Sequence, residues 1–235
     1  MLLSLVRKDF WLMISVVLMA LIALPVSFAL TAVISLATRE SAFQGASIDT
    51  VWASIFSTSS QIVFLLSYFS MAFMAGAIIS TERQDRSLEF LACLPPLRIH
   101  TLASKMIVVG CFLIVLFAIY ASLYAVSELL SEATRSGGPS RSSLEIDDSV
   151  RLLIGCAGTA WAMSSLSKSS TIPVLVGLIC PILVIPLVQI LLHVLGVNMP
   201  LDGTSDFVLN GVLLLGISGF AFGSAWYLLS PVAQR

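Results

Sequence analysis

The fold is decided by a stretch without any charged residue, Met106-Ile-Val-Val-Gly-Cys-Phe-Leu-Ile-Val-Leu-Phe-Ala-Ile-Tyr-Ala-Ser-Leu-Tyr-Ala-Val-Ser127. A helix needs roughly 20 apolar residues to cross about 30 Å of hydrocarbon, and this stretch is long enough. A strand of a membrane barrel would alternate polar with apolar side chains, which this stretch does not do. Backbone groups in lipid must be paired within the protein, so the stretch predicts a membrane-spanning helix.

The rest of the chain has the same character. Only 11% of the 235 residues are charged, whereas 58% are hydrophobic, and a soluble domain would have about a quarter charged. We predict an all-α transmembrane bundle that forms a single domain over residues 1–235. The charge-free runs place its six spans at about 11–36, 56–80, 106–127, 151–167, 172–195 and 208–229.

The fourth predicted span is the shortest. Its charge-free run lies between Arg151 and Lys168. It needs either snorkelling of these two side chains toward the headgroups or a short helix that is partly buried among the others.

Orientation follows from the distribution of Lys and Arg, which are enriched in cytoplasmic segments. With the N-terminus inside, eight of the 12 Lys and Arg residues fall on the inner side and four on the outer side. This bias predicts that both ends are cytoplasmic. The polar segment 127–150 is then an external loop, and its Ser136-Gly-Gly-Pro is typical of a flexible linker.

The first residues, 2–10, predict an interfacial lead-in to the first span. The following apolar run is too long for a signal peptide. The side chains expected on the membrane are Leu2, Leu3, Leu5 and Val6, and those expected to face water are Arg7, Lys8 and Asp9.

Sequence motifs for enzymatic chemistry are absent. The chain has no GxxxxGK[ST] phosphate loop, no HExxH, no GxSxG and no paired carboxylates within a span. His193 is a titratable side chain within a predicted span, and it fits an interfacial histidine better than a proton relay. We therefore assign no catalytic, cofactor-binding or metal-binding residue, and the net charge of −1 argues against nucleic acid as a partner. Transport against a gradient would need an energy source on another polypeptide.

Two features point to helix packing or to a transport pathway. Pro181 and Pro186 each remove a helical hydrogen bond from the fifth span. Gly219 and Gly223 form a GxxxG pair in the sixth span, which allows close approach of another helix. That helix can belong to the same chain or to a second copy.

The inner segment 81–105 predicts a short amphipathic helix under the membrane. Thr81 and Gln84 match a capping box, and Pro95 with Pro96 would stop the helix. Its apolar face would carry Leu88, Leu91 and Ala92, and its polar side Glu82, Arg83, Asp85, Arg86 and Glu89. The alternative is a solvated connector that lies on lipid headgroups.

The same segment resembles the cytoplasmic loop of ABC-2 type transporter permeases. The residues that carry the resemblance are Glu82, Ser87-Leu88-Glu89, Leu91, Leu94-Pro95, Arg98 and Lys105, together with the lead-in Leu5-Val-Arg-Lys-Asp-Phe. Arg86 and Ser87 depart from the usual Gly and Thr of that pattern.

The resemblance implies a permease subunit of an exporter in a prokaryotic cell membrane. Such a subunit pairs with a second permease subunit, identical or not, largely through spans one and five, and it docks separate ATPase subunits that hold ATP and Mg. The segment would then be the coupling helix, with Glu82, Arg83, Asp85, Arg86, Leu88, Glu89, Leu91, Leu94, Pro95 and Arg98 as its coupling residues. An ATP-independent carrier or a structural subunit of a membrane complex is the alternative.

Overall fold

The computed structural model describes residues 2–37, 48–84, 95–134, 146–195 and 201–229, and these residues are almost entirely helical. No β-strand occurs within these ranges, so the prediction of an all-α fold is confirmed for them. The helices are α1 Leu2–Ala37, α2 Ile48–Gln84, α3 Pro95–Thr134, α4 Ile146–Leu166, α5 Thr171–Val194 and α6 Leu201–Leu229.

Membrane-spanning character is clear for four of the helices. Within the described residues, the segments long and apolar enough to cross a bilayer are Val51–Thr81, Arg98–Leu130, Thr171–Leu191 and Asp206–Leu229. In α1 the apolar segment with described side chains is Pro25–Ile34, within a helix that carries no charged residue from Phe10 to Ala37. α4 is not among the four. These helices indicate a multi-pass membrane protein, whereas six spans with both ends inside stay a prediction.

The helices extend further than the charge-free runs predicted. α1 is continuous from Leu2, so the predicted interfacial lead-in is part of the same helix as the first span. α3 continues to Thr134 and α4 begins at Ile146, so both ends of the predicted loop 127–150 are helical, and its middle lies outside the described residues. Residues such as Glu128 and Leu130 are strong helix formers, so the helix persists beyond its apolar part.

The described helices pack as two groups of three that α2 connects. α1 packs against α2 and α3, while α4 packs against both α5 and α6. α2 contacts helices of both groups, because it also packs against α4 and α5.

α4 lies in the centre of the bundle, which explains its modest hydropathy. The consecutive small residues from Gly155 to Ala160 are all buried, and the next residue, Trp161, is completely buried as well. The neighbours of α4 are therefore other helices rather than lipid. The structure therefore shows the predicted burial among other helices, but α4 has 21 residues and is not the short helix that the sequence predicted.

The closest helix contact joins α4 to α6. A Cβ added at Gly158 would overlap the carbonyl oxygen of Gly216, and one added at Gly219 would overlap the carbonyl oxygen of Gly158. At Gly223 it would lie 2.7 Å from Cδ1 of Trp161. Glycine allows the two backbones to touch, as it does in GxxxG pairs generally. The structure thus places Gly219 and Gly223 in an interface within one chain.

This contact predicts different effects for two glycine substitutions on the same helix. Gly219→Ala should lower the free energy of unfolding by about 1–3 kcal/mol, because the new methyl group forces α4 and α6 apart. Gly211→Ala is the matched control, since nothing lies within 4 Å of its added Cβ. Thermal unfolding of the purified chain in detergent measures both, and equal stability of the two variants would contradict the interface.

Candidate functional site

The predicted coupling residues lie around the connection between α2 and α3. Glu82 and Arg83 belong to the last turn of α2. Pro95 is the first residue of α3, and Arg98 lies in the first turn of the same helix. The other predicted residues lie outside the described ranges, and for them the short helix stays a prediction; they are Asp85, Arg86, Leu88, Glu89, Leu91 and Leu94.

One detail of the predicted loop helix was wrong. Thr81 does not cap a new helix, because α2 continues through it to Gln84 and the Thr81 hydroxyl donates to the Ala77 carbonyl at 2.8 Å. Pro95 and Pro96 begin α3, and the residues that they would separate from it lie outside the described ranges. The first turn of a helix needs no N–H donors, so proline is well suited to that position.

A buried ion pair joins α1 to the two helices that flank this connection. Nζ of Lys105 in α3 lies 3.7 Å from Oδ1 of Asp9 in α1, and the two side chains are 1% and 2% exposed. The same ammonium group donates to the carbonyl of Ile78 in α2 at 2.8 Å. One buried cation therefore contacts the other two helices of its group.

Ser104 completes this arrangement, which we call the Asp9–Lys105 cluster: Asp9, the Ile78 carbonyl, Ser104 and Lys105. The Ser104 hydroxyl donates to Oδ2 of Asp9, and it also lies 2.9 Å from the Thr101 carbonyl. Both oxygens of the Asp9 carboxylate thus have a partner. Charges in a low-dielectric interior need such partners, because each loses its hydration there.

The prediction that Asp9 faces water was wrong, although Arg7 and Lys8 are exposed as expected. Asp9 is four residues from Met13, which is 4% exposed, so both side chains lie on the inward face of α1. Both Asp9 and Lys105 belong to the family-like pattern of the sequence, but nothing in the sequence pairs them.

The cluster predicts strong non-additivity between two substitutions. Asp9→Asn or Lys105→Met alone should lower the free energy of unfolding by about 3–5 kcal/mol, because each removes one member of a buried ion pair. The double variant should lose less than the sum, because no lone charge remains. Chemical unfolding in detergent measures the free energy of unfolding of the unmodified chain, of the two single variants and of the double variant, which together form a double-mutant cycle.

The chain offers a matched control at the opposite end of the bundle. Arg151 of α4 and Asp206 of α6 form an ion pair at 2.8 Å, with the Asp206 side chain 68% exposed. Asp206→Asn should cost only about 0–1 kcal/mol, because water replaces the lost partner. A simple sum of the single effects in the Asp9 and Lys105 cycle would show that the buried pair carries no coupling energy.

Arg98 has a described contact with another helix. Its guanidinium donates to the Leu228 carbonyl over a long 3.5 Å. This carbonyl lies in the last turn of α6, where helical carbonyls have no partner within the helix. The start of α3 thus contacts the end of α6 as well as α1 and α2.

The two prolines of α5 have different surroundings. Pro181 is buried and Pro186 is exposed. Proline at 181 cannot donate to the carbonyl four residues earlier, which is that of Gly177. The hydroxyl of Tyr68 in α2 lies 3.3 Å from this carbonyl and 3.1 Å from that of Leu178, so the two carbonyls share its single proton. A neighbouring helix therefore replaces the donor that proline removes, as membrane helices require.

Residues 6–192 match the family described as ABC-2 family transporter protein. The chain belongs to this family. The matched range contains the Asp9–Lys105 cluster, the whole α2–α3 connection and both prolines of α5, so it confirms the family resemblance noted in the sequence. No match to this permease was found among curated proteins.

The other candidate features of the permease are a metal site and His193. Within the described part of the permease, no three His, Cys, Asp or Glu side chains are grouped as a metal ion would require. His193 lies in α5, but its side chain is outside the described set.

Tyr68 is a residue whose role the sequence indicated only in part. The positions of Pro181 and Gly177 show that a carbonyl in α5 lacks its helical donor. Which side chain supplies the replacement depends on how α2 and α5 pack, and this only the structure of the permease shows.

The contact between Tyr68 and α5 predicts a specific pattern of coupling. Tyr68→Phe should lower the free energy of unfolding of the permease by about 0.6–1.5 kcal/mol, because it removes a buried hydrogen bond. The loss should shrink in a Pro181→Ala background, where the alanine N–H can pair with the Gly177 carbonyl.

Pro186→Ala is the control for this pair, because Pro186 is exposed and four residues from Ile182, which is 57% exposed. The Tyr68→Phe effect should be unchanged in that background. Thermal unfolding of the permease in detergent measures the stability of each variant. If Tyr68→Phe had the same effect in the Pro181→Ala and Pro186→Ala backgrounds, the assigned contact would be contradicted.

Proposed function

We propose that this permease is the transmembrane subunit of an exporter and that separate ATPase subunits drive it. Membership of the ABC-2 transporter family carries the proposal, because the match includes the whole inner segment 81–105. The sequence supports the division of labour, since its 235 residues contain no phosphate-binding loop. On this proposal ATP and Mg bind to the partner ATPase, and the permease itself binds no cofactor.

The segment 81–105 would be the docking element for the ATPase. Its two flanking helices are long, with α2 spanning 37 residues and α3 spanning 40. A continuous helix transmits displacement along its axis, so a push on the connection would reach deep into the bundle. Such a push would shift the balance between inward-open and outward-open states of the permease.

A second permease subunit, identical or different, would complete the pathway in the lipid bilayer of a prokaryotic cell membrane. The six helices would all span that bilayer, with both ends of the chain in the cytoplasm. The exposed apolar surfaces of α1 and α5 support these helices as the contact between subunits. Ile22 of α1 is 62% exposed, and Leu187 of α5 is 65% exposed. The remaining apolar surface would face lipid.

The proposal predicts that an ATPase subunit purifies with the permease and that the permease stimulates its ATP hydrolysis. Reversing three charges together, Asp85→Lys, Arg86→Glu and Glu89→Lys, should abolish this stimulation, because docking contacts of like charge would repel. Single reversals should have small effects, since exposed ion pairs are individually weak. The measurement is the ATPase rate of the complex in lipid nanodiscs.

A triple reversal at the opposite end serves as the control: Arg135→Glu, Arg141→Glu and Glu145→Lys. This control should leave both copurification and stimulation unchanged, because the segment is expected on the external side. Absence of any associated ATPase would contradict the proposed function, and normal stimulation in the first triple variant would contradict docking at 81–105.

A further inference from the structure

The Asp9–Lys105 cluster lies close to both ends of the α2–α3 connection. Ile78 is six residues before the end of α2, and Lys105 is ten residues after the start of α3. At about 1.5 Å per residue, these separations correspond to roughly 9 and 15 Å along the helix axes. A displacement of the connection would therefore reach the cluster through the last turns of α2 and the first turns of α3.

α1 depends on α2 and α3 for its position in the described bundle, because it packs against no other described helix. Most of this packing is apolar: Val6 and Val17 contact the core, and Met13 is buried in it. Apolar contacts are non-directional, so alone they would tolerate a helix that slides or turns. The Asp9–Lys105 cluster is directional by contrast, because its hydrogen bonds and charges match at one register.

A change of register at this point would be costly. A slip of α1 by one turn would move Asp9 by about 5 Å. Lys105 and Asp9 would then be buried without each other, which is the most unfavourable arrangement for two charges in a protein interior. The cluster therefore favours one register of α1 on the two helices beside it.

We propose that Asp9 and Lys105 are positioning residues that hold α1 in register on α2 and α3, so that the three helices move as one unit when the connection is displaced. The displacement itself rests on the proposed function. The register is a property of the chain alone and is testable without any partner.

The first experiment measures the register in the purified chain. Spin labels at Arg7→Cys and His100→Cys lie on exposed positions of α1 and α3 at the end that holds the cluster, in a background with the four native cysteines replaced. Pulsed electron paramagnetic resonance should give one narrow distribution of the distance between the two labels. In Asp9→Asn and in Lys105→Met the distribution should roughly double in width or shift by about 5 Å, as a slip of one turn requires.

Two further variants separate positioning from stability. Asp9→Asn with Lys105→Met should regain stability relative to the single variants but keep the broad distribution, since apolar contacts alone do not set the register. Leu116→Ala, at a position in α3 that is 1% exposed, should lose stability but keep the narrow distribution. A distribution in either single variant that is as narrow as in the unmodified chain and centred at the same distance would overturn the proposal. So would a broad distribution in the chain with Asp9 and Lys105 intact.

The second experiment adds the associated ATPase and traps it with ATP and vanadate. A label pair at Arg7 and Leu229, on α1 and α6, should report a nucleotide-dependent distance change, while the pair at Arg7 and His100 stays constant. In Asp9→Asn the distance between the labels at Arg7 and His100 should also change with nucleotide, and stimulated ATP hydrolysis should fall several-fold. If the first experiment succeeds but nucleotide moves neither pair, the ATP-driven function fails and the register role stands.

Discussion

Polar groups that are removed from water must find partners within the protein, and this requirement shapes the whole described bundle. Several serine and threonine side chains in the helices satisfy it locally by donating to carbonyls of the preceding turn, as Ser80 does to Gly76 and Thr159 to Gly155. Groups that have no local partner must reach another helix. Tyr68 and Lys105 are of this second kind, so their hydrogen bonds determine which helices stay together.

The two groups of helices are held by different physical means. α4 and α6 touch backbone to backbone at Gly158 and Gly219, and such a contact cannot adjust without steric overlap. α1 is held instead by side chains and by one buried ion pair. A force that enters between α2 and α3 would therefore meet a rigid pair of helices on one side. On the other side, it would meet a helix whose register depends on two charges.

This arrangement agrees with a transporter whose energy comes from outside the bilayer. The buried charges of the Asp9–Lys105 cluster are paired near one end of the bundle, where they connect α1 with α3. Pro181 has a comparable structural role, because Tyr68 repairs the hydrogen bond that it removes. On the proposed function, chemistry that consumes ATP would take place on the partner, and the permease would contribute shape and transmission.

The sequence by itself determined the helical class, the membrane character and the family, because charge-free runs and the pattern of 81–105 are local properties of composition and order. It did not determine the helix ends, since hydropathy marks where lipid contacts a helix and not where its hydrogen bonds stop. Only the tertiary structure decided which polar side chains meet. Asp9 finds Ser104 across 95 positions of sequence, and Tyr68 finds Gly177 across 109. Such contacts depend on the order and rotation of packed helices, and an isolated stretch of sequence contains neither.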